Sequence, residues 1–210
     1  MVHPMIARNV FDEIFSEQNG YDLSKYSKEF HKKDEKIGHM IDLVLYGETL
    51  FSTVREMMFH EWVKQYTAKA KVFYDLGSGI GNVAISCSLL GLFEEINGIE
   101  FMKPLYEKSL ENKKILSKLS IGLVKKINFI NESFLNYDFT NADVIFANHP
   151  TKDKEIQAYL DTQFQLLKKD AIVIYVIRYM DDQTNFEHIG SQKMQFSWGT
   201  PAVHFYRKIR

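Results

Sequence analysis

"VFYDLGSGIGN", residues 72–82, is an apolar run that breaks into three glycines within five residues. Residues 72–76 read as a strand, and glycines directly after a strand supply the freedom for a tight turn into a helix. Their spacing is G-x-G-x-G, with Asp75 two residues ahead of Gly77. The dinucleotide fingerprint spaces its glycines G-x-G-x-x-G, and a phosphate loop requires a following Gly-Lys-Ser/Thr that this chain lacks. So tight a turn brings backbone close to a ligand, while the acid ahead of it can accept an ammonium group. The stretch therefore suits a ligand with an amino-acid moiety better than a pyrophosphate.

Working outward, 82–91 reads as a helix ending at Gly91, 95–100 as a short strand ending in Glu100, and 103–118 as a helix with Pro104 in its first turn. Strands at 127–131 and 143–147, a helix at 153–167 and an apolar strand at 171–179 continue the alternation. Two last strands, 193–198 and 202–209, are joined by Gly199-Thr200-Pro201 as an antiparallel hairpin. Such alternation predicts an α/β fold with a mainly parallel, seven-stranded sheet covered on both faces. Upstream, 49–67 reads as one helix with Leu50, Val54, Met57, Met58 and Trp62 on one face. Residues 5–40 read as one or two short polar helices with a turn at Asn19-Gly20, and the charged stretch 24–36 as a solvated face or connector.

Composition bounds the rest. The chain has 210 residues, which suits one sizeable core rather than two. A net charge of -1 gives no global signal for nucleic acid or membrane. Cys87 is the single cysteine, so no intramolecular disulfide forms, consistent with a reducing compartment. No apolar run approaches the roughly 18–20 residues of a membrane span, and the start of the chain lacks a signal-peptide apolar segment. The expected location is intracellular, cytoplasmic or nuclear, with no membrane partner. The seven histidines show no metal-like spacing, so no metal site is expected. Residues 101–130 carry seven lysines against two glutamates, either a solvated helix face or a docking surface for an acidic partner such as nucleic acid.

Glu100 ends the second strand 25 residues after Asp75, where a carboxylate can accept both hydroxyls of a ribose. Asp-x-Gly-x-Gly-x-Gly followed by a strand-end acid is the pattern of class I (Rossmann-like) methyltransferases, whose cofactor is S-adenosylmethionine. Each piece alone has a plainer reading, Gly77 to Gly81 as an ordinary turn and Glu100 as a surface acid. Their combination in order selects the class.

A narrower resemblance follows from the flanks. "LYGET" at 45–49, then "FYDLGSGIGNV", "GIE", "DVIFAN" and the C-terminal "FSWGTPAVHFY" together resemble the disruptor-of-telomeric-silencing family. Its members methylate a lysine in the globular core of histone H3, and the resemblance runs from about residue 45 to 209. It implies a methyltransferase domain at 45–210 and leaves 1–44 as an N-terminal helical extension or lid. It further implies that Tyr46 and Thr49 close over the methionine end of the cofactor. Asp75, Gly77 and Gly79 would form the cofactor loop, Glu100 the ribose-binding acid, and Ser133 and Phe134 the adenine side. Asn148 matches the catalytic-site asparagine, and Phe146 and Trp198 match walls of a lysine channel. The implied partner is a protein substrate, a histone or nucleosome; nucleic acid stays open. The family's second asparagine and phenylalanine are replaced by His149 and Pro150, and its acid before the adenine-side phenylalanine by Ser133.

The chemistry of those residue types is consistent with the implied roles. A lysine of ordinary pKa near 10.4 is protonated at neutral pH and must become neutral to attack a methyl group. Apolar walls such as Phe146 and Trp198 lower that pKa, and their faces hold the cation beforehand. Asn148 would orient donor and acceptor, Glu48 can take the proton through water, and His149 is a second candidate for proton transfer. Plainer readings make Trp198 a core residue and Asn148 a turn former before proline. Two other functions stay open. Asn-x-Pro after the fourth strand partly matches the Asn-Pro-Pro-aromatic signature of enzymes that methylate amino groups of bases or glutamine, with Thr151 where the aromatic would stand. A methyltransferase-fold scaffold without turnover is the third.

Overall fold

Strand β1 (Val72–Leu76) lies near the centre of a seven-stranded sheet in the computed structural model, which describes residues 3–16, 18, 20–32, 46–119, 126–148, 153–181 and 183–210. It pairs in parallel with β2 (Glu95–Ile99) on one side and β4 (Val144–Asn148) on the other. β3 (Lys126–Ile130) extends the sheet beyond β2, and β5 (Ile172–Val176) extends it beyond β4, both parallel. β7 (Ala202–Lys208) adds antiparallel to β5, and β6 (Phe186–Lys193) forms the edge against β7. The order β3-β2-β1-β4-β5-β7-β6 reverses at β1 and β4, which opens a crevice at their carboxyl ends. Asp75 stands in that crevice, in register with Gly98 on β2 and Phe146 on β4.

Strands sandwiched between helices bury both faces, which is why β5 (IVIYV) is buried at every position. One face packs Phe73, Phe146 and Ile174 under α1 (Pro4–Phe15), α3 (Phe51–Met58) and α5 (Asn82–Leu90). The other packs Tyr74, Ile145 and Tyr175 against Leu160 and Phe164 of α7 (Lys154–Phe164). Helix α6 (Lys103–Lys118) keeps its expected bounds. No helix among the described residues is long and apolar enough to cross a membrane.

Three expectations about elements fail for tertiary reasons. The single helix expected at 49–67 stops at Met58, and a short α4 (Lys64–Thr67) follows a turn. His60 hydrogen-bonds Gln192 of β6 at 2.7 Å, and the Trp62 ring fills the space beside Gly190, so docking on the hairpin overrides the helical period. Strand β5 ends at Val176 because Ile177 turns out of the sheet with φ 70°. The penultimate strand is not 193–198 but 186–193, a polar edge strand whose exposure hid it from an apolar pattern. Residues 194–201 instead form a loop that buries Phe196 and returns through a Phe196–Gly199 bridge.

Helix α2 (Gly20–His31) packs along the start of α6. Its buried residues are Gly20, Ser24, Ser27 and His31, spaced along one face. Small polar residues let that face of the helix approach closely, while Lys25, Tyr26, Glu29 and Phe30 stay exposed, so the stretch from Ser24 to His31 has the expected solvated face and a packing face opposite it. The rest of that stretch, 33–36, lies outside the described residues.

Candidate active site

The turn after β1 is fastened to the end of β2, where the Gly77 and Ser78 N–H groups both donate to the Ile99 carbonyl, at 2.9 and 3.0 Å. Gly77, Gly79 and Gly81 all have left-handed φ, at 82°, 54° and 92°, which explains three glycines in five residues. A Cβ added to Gly77 would meet nothing within 4 Å, so the cradle is open there.

Two buried acids face this turn. Glu100, 6% exposed, accepts the Gly79 N–H at 2.9 Å on Oε2 and the Met102 N–H at 2.8 Å on Oε1. Burial pushes its carboxyl up to about 7 against the pull of those amides. Asp75, 2% exposed, is pushed up to about 8 by burial and then by Glu100, while the Ala84 amide in the first turn of α5 pulls it down. Asp75 Oδ2 and Ser78 Oγ are buried without a hydrogen-bond partner. Orphaned polar atoms carry a desolvation cost that a ligand removes when it supplies donors. A cationic amino-acid group at Asp75 and hydroxyls at Glu100 fit this donor demand, since each Glu100 oxygen retains a further lone pair.

The roof is the loop Tyr46–Thr49. The Tyr46 hydroxyl donates to Glu48 Oε1 at 3.1 Å, and its ring lies 3.1 Å from the position a Cβ on Gly79 would take. Asn148 Nδ2 donates to the Gly47 carbonyl at 3.1 Å, tying the loop to the end of β4. From the other side, the Ser197 N–H and hydroxyl donate to the Glu48 carbonyl at 3.2 and 3.0 Å, and the Glu48 N–H donates to Ser197 Oγ at 3.2 Å. The Trp198 indole covers Gly47 so closely that a Cβ there would lie 2.3 Å from its Nε1. Burial raises the Glu48 carboxyl, against hydrogen bonds from Tyr46 and the Gly20 amide.

Tyr46, Thr49, Asp75, Gly77, Gly79, Glu100, Phe134, Phe146 and Asn148 line one cleft together. Ser133 is not among its lining residues; its Oγ accepts the Leu135 N–H at 3.2 Å and shapes the turn that carries Phe134. Trp198 lines a second cavity with Tyr21, Tyr46, Gly47 and Glu48. The two walls expected for one channel, Phe146 and Trp198, thus belong to two cavities that share Tyr46, Gly47 and Glu48. His149 lies outside the described residues. Sequence reasoning missed Ser24, Asn82, Met102 and Leu105 in the cleft, and Ser197 beside it. Only Asn82 had a signal, its place directly after the glycine turn.

A family model described as histone methylation protein DOT1 matches residues 39–206. A search of curated proteins finds no match. Among solved structures, the candidate methyltransferase yhhF of Escherichia coli superposes with a TM-score of 0.57 at 17% identity, covering 75% of this chain and 86% of that one. An rRNA methylase from Streptococcus thermophilus gives 0.54 at 15% identity over 73% and 95% of the two chains. A mutant of MtNAS in complex with S-adenosylmethionine gives 0.58 at 13% identity over 99% and 78%. Identities this low establish the shared fold alone.

Proposed function

The chain belongs to the family of histone methylation protein DOT1, and from that premise we propose that this S-adenosylmethionine-dependent methyltransferase methylates a lysine side chain of a protein, a histone being the substrate the family suggests. The observation that carries the reading is the shared loop: Tyr46, Gly47 and Glu48 separate a cleft holding two buried acids from a cavity walled by Trp198.

When bound, S-adenosylmethionine supplies an electrophilic methyl group on a sulfonium. Asp75, whose Oδ2 has no hydrogen-bond partner, would hold its ammonium end, and Glu100 would accept its ribose hydroxyls. Asn148 fixes the Gly47 carbonyl at the boundary of the two cavities, a positioning role. The substrate nitrogen must arrive neutral, and the Trp198 ring would hold the ammonium form in place until it loses its proton. Glu48 would take the proton that the substrate ammonium must lose before its nitrogen can accept a methyl group. Its raised pKa makes it a better proton acceptor than an exposed carboxylate.

The test is transfer of labelled methyl groups to nucleosomes, free histones, total lysate protein and nucleic acid, with cofactor binding measured by calorimetry. Label on protein lysine is the expected result. Label confined to nucleic acid would overturn the lysine assignment, and no cofactor binding at millimolar concentration would leave a scaffold.

A further inference from the structure

Helix α2 occupies residues 20–31, wholly outside the 39–206 span matched by the family model. It nevertheless contributes to both cavities: Ser24 lines the cleft with the two acids, and Tyr21 lines the cavity with Trp198. Both ends of the helix are pinned beside the cleft. At its start, the Gly20 N–H donates to the Glu48 carboxylate, which thereby caps the helix with negative charge. The approach is so close that a Cβ on Gly20 would lie 2.1 Å from the Tyr46 hydroxyl oxygen and 2.2 Å from Glu48 Oε1. At its end, His31 Nε2 accepts the Lys103 N–H at 3.2 Å, next to Met102, whose own N–H is held by Glu100. Between these pins, Leu23 packs with Tyr46 and Phe101 against Ile80, Met102 and Leu105.

Tyr21 is 57% exposed and Trp198 42% exposed, so both rings in the second cavity are open to a partner. The Tyr21 ring already serves as a cation platform, with Lys25 Nζ 4.4 Å from its centroid. Two aromatic rings around the Glu48 carboxylate form a setting for an alkylammonium group.

We propose that α2 is a working wall of the active site, latched to the Tyr46–Glu48 loop through Gly20, and that Tyr21 is a substrate-positioning residue for a cationic side chain entering beside Trp198. The Tyr21 half of this proposal rests on the lysine reading; the latch does not.

The latch is tested on the full chain by amide hydrogen exchange over residues 20–31 and by the release rate of S-adenosylhomocysteine. Gly20→Ala forces the loop and helix apart, and Glu48→Ala removes the cap, so both should exchange faster and release about tenfold faster. Glu48→Gln keeps an acceptor for the Gly20 amide and should stay within about threefold of the parent. If Gly20→Ala does not fold, the Glu48 pair decides alone. Parent-like exchange and release in Glu48→Ala overturn the latch. For Tyr21, alanine should raise KM for the methylated protein about tenfold with kcat and cofactor affinity nearly unchanged, and Tyr21→Phe should restore it. An unchanged KM in Tyr21→Ala overturns its role. Absence of lysine transfer altogether would remove the lysine reading and the Tyr21 role together, while the release rates would still decide the latch.

Discussion

The floor of the cleft comes from residues 75–102, one continuous stretch in which backbone amides hold Glu100 and the Ile99 carbonyl holds the glycine turn. The roof comes from residues 20–24, 46–49, 148 and 197–198, segments distant in sequence that meet through a few hydrogen bonds, most of them involving a side chain. A backbone-held floor opens only when β1 and β2 separate, which requires disrupting the core. A roof tied by individual hydrogen bonds, each worth about 1 kcal/mol net, opens locally. On the proposed reading, cofactor recognition sits on the rigid side and access on the side that yields.

The sharpest test of this contrast is Glu100→Ala. It strands the Gly79 and Met102 amides and removes the ribose acceptor, so calorimetry should show about a thousandfold loss of cofactor affinity. Asn148→Ala, on the roof, should lower kcat about hundredfold while cofactor affinity stays within about tenfold, as single-turnover and binding measurements would report. Equal losses of affinity in the two variants would erase the distinction.

Protonation probes the floor alone. Asp75 and Glu100 are pushed up to about 8 and about 7, so below those values both acids hold protons that a cationic ligand must displace. Affinity should rise about fiftyfold as pH goes from 6 to 7, about tenfold more from 7 to 8, and level off above that, with protons released on binding near neutrality. Without cofactor the sign reverses. The folded protein keeps protons that the unfolded chain loses near pH 4, so its stability falls as pH rises from about 4 toward 8. Melting temperature and buffer-dependent calorimetry read the two effects separately. Smaller still, Ser197→Ala removes the hydroxyl's bonds to Glu48 and should cost about 1 kcal/mol in chemical denaturation. Smallest is Ser133→Ala, whose hydroxyl caps a turn outside the cleft; cofactor affinity should stay within about twofold.

Legibility in the sequence divides along the same line. The bounds of α6 were readable from Pro104 and the apolar period, and the glycine turn from its spacing. Strand β6 was not, because only Phe186 is buried in it and both its faces are otherwise partly exposed, so it lacks the alternation that identifies a half-buried strand. Nor was the break after Met58, since Trp62 continues the helical period but docks on Gly190 instead. Ser133 was assigned to the adenine side by position alone, while its hydroxyl serves the turn.

The sequence by itself determined the α/β alternation, the glycine turn with Asp75 and Glu100 beside it, and the motif residues Tyr46–Thr49. Those features rest on local rules: left-handed turns need glycine, and an acid at a strand end faces the crevice. Only the tertiary structure decided that Asn148, Ser197 and Gly20 all converge on that loop, and that Phe146 and Trp198 wall separate cavities. Their convergence depends on the close packing of small side chains and on long-range pairing of β7 with β5, neither of which leaves a periodic trace in the chain.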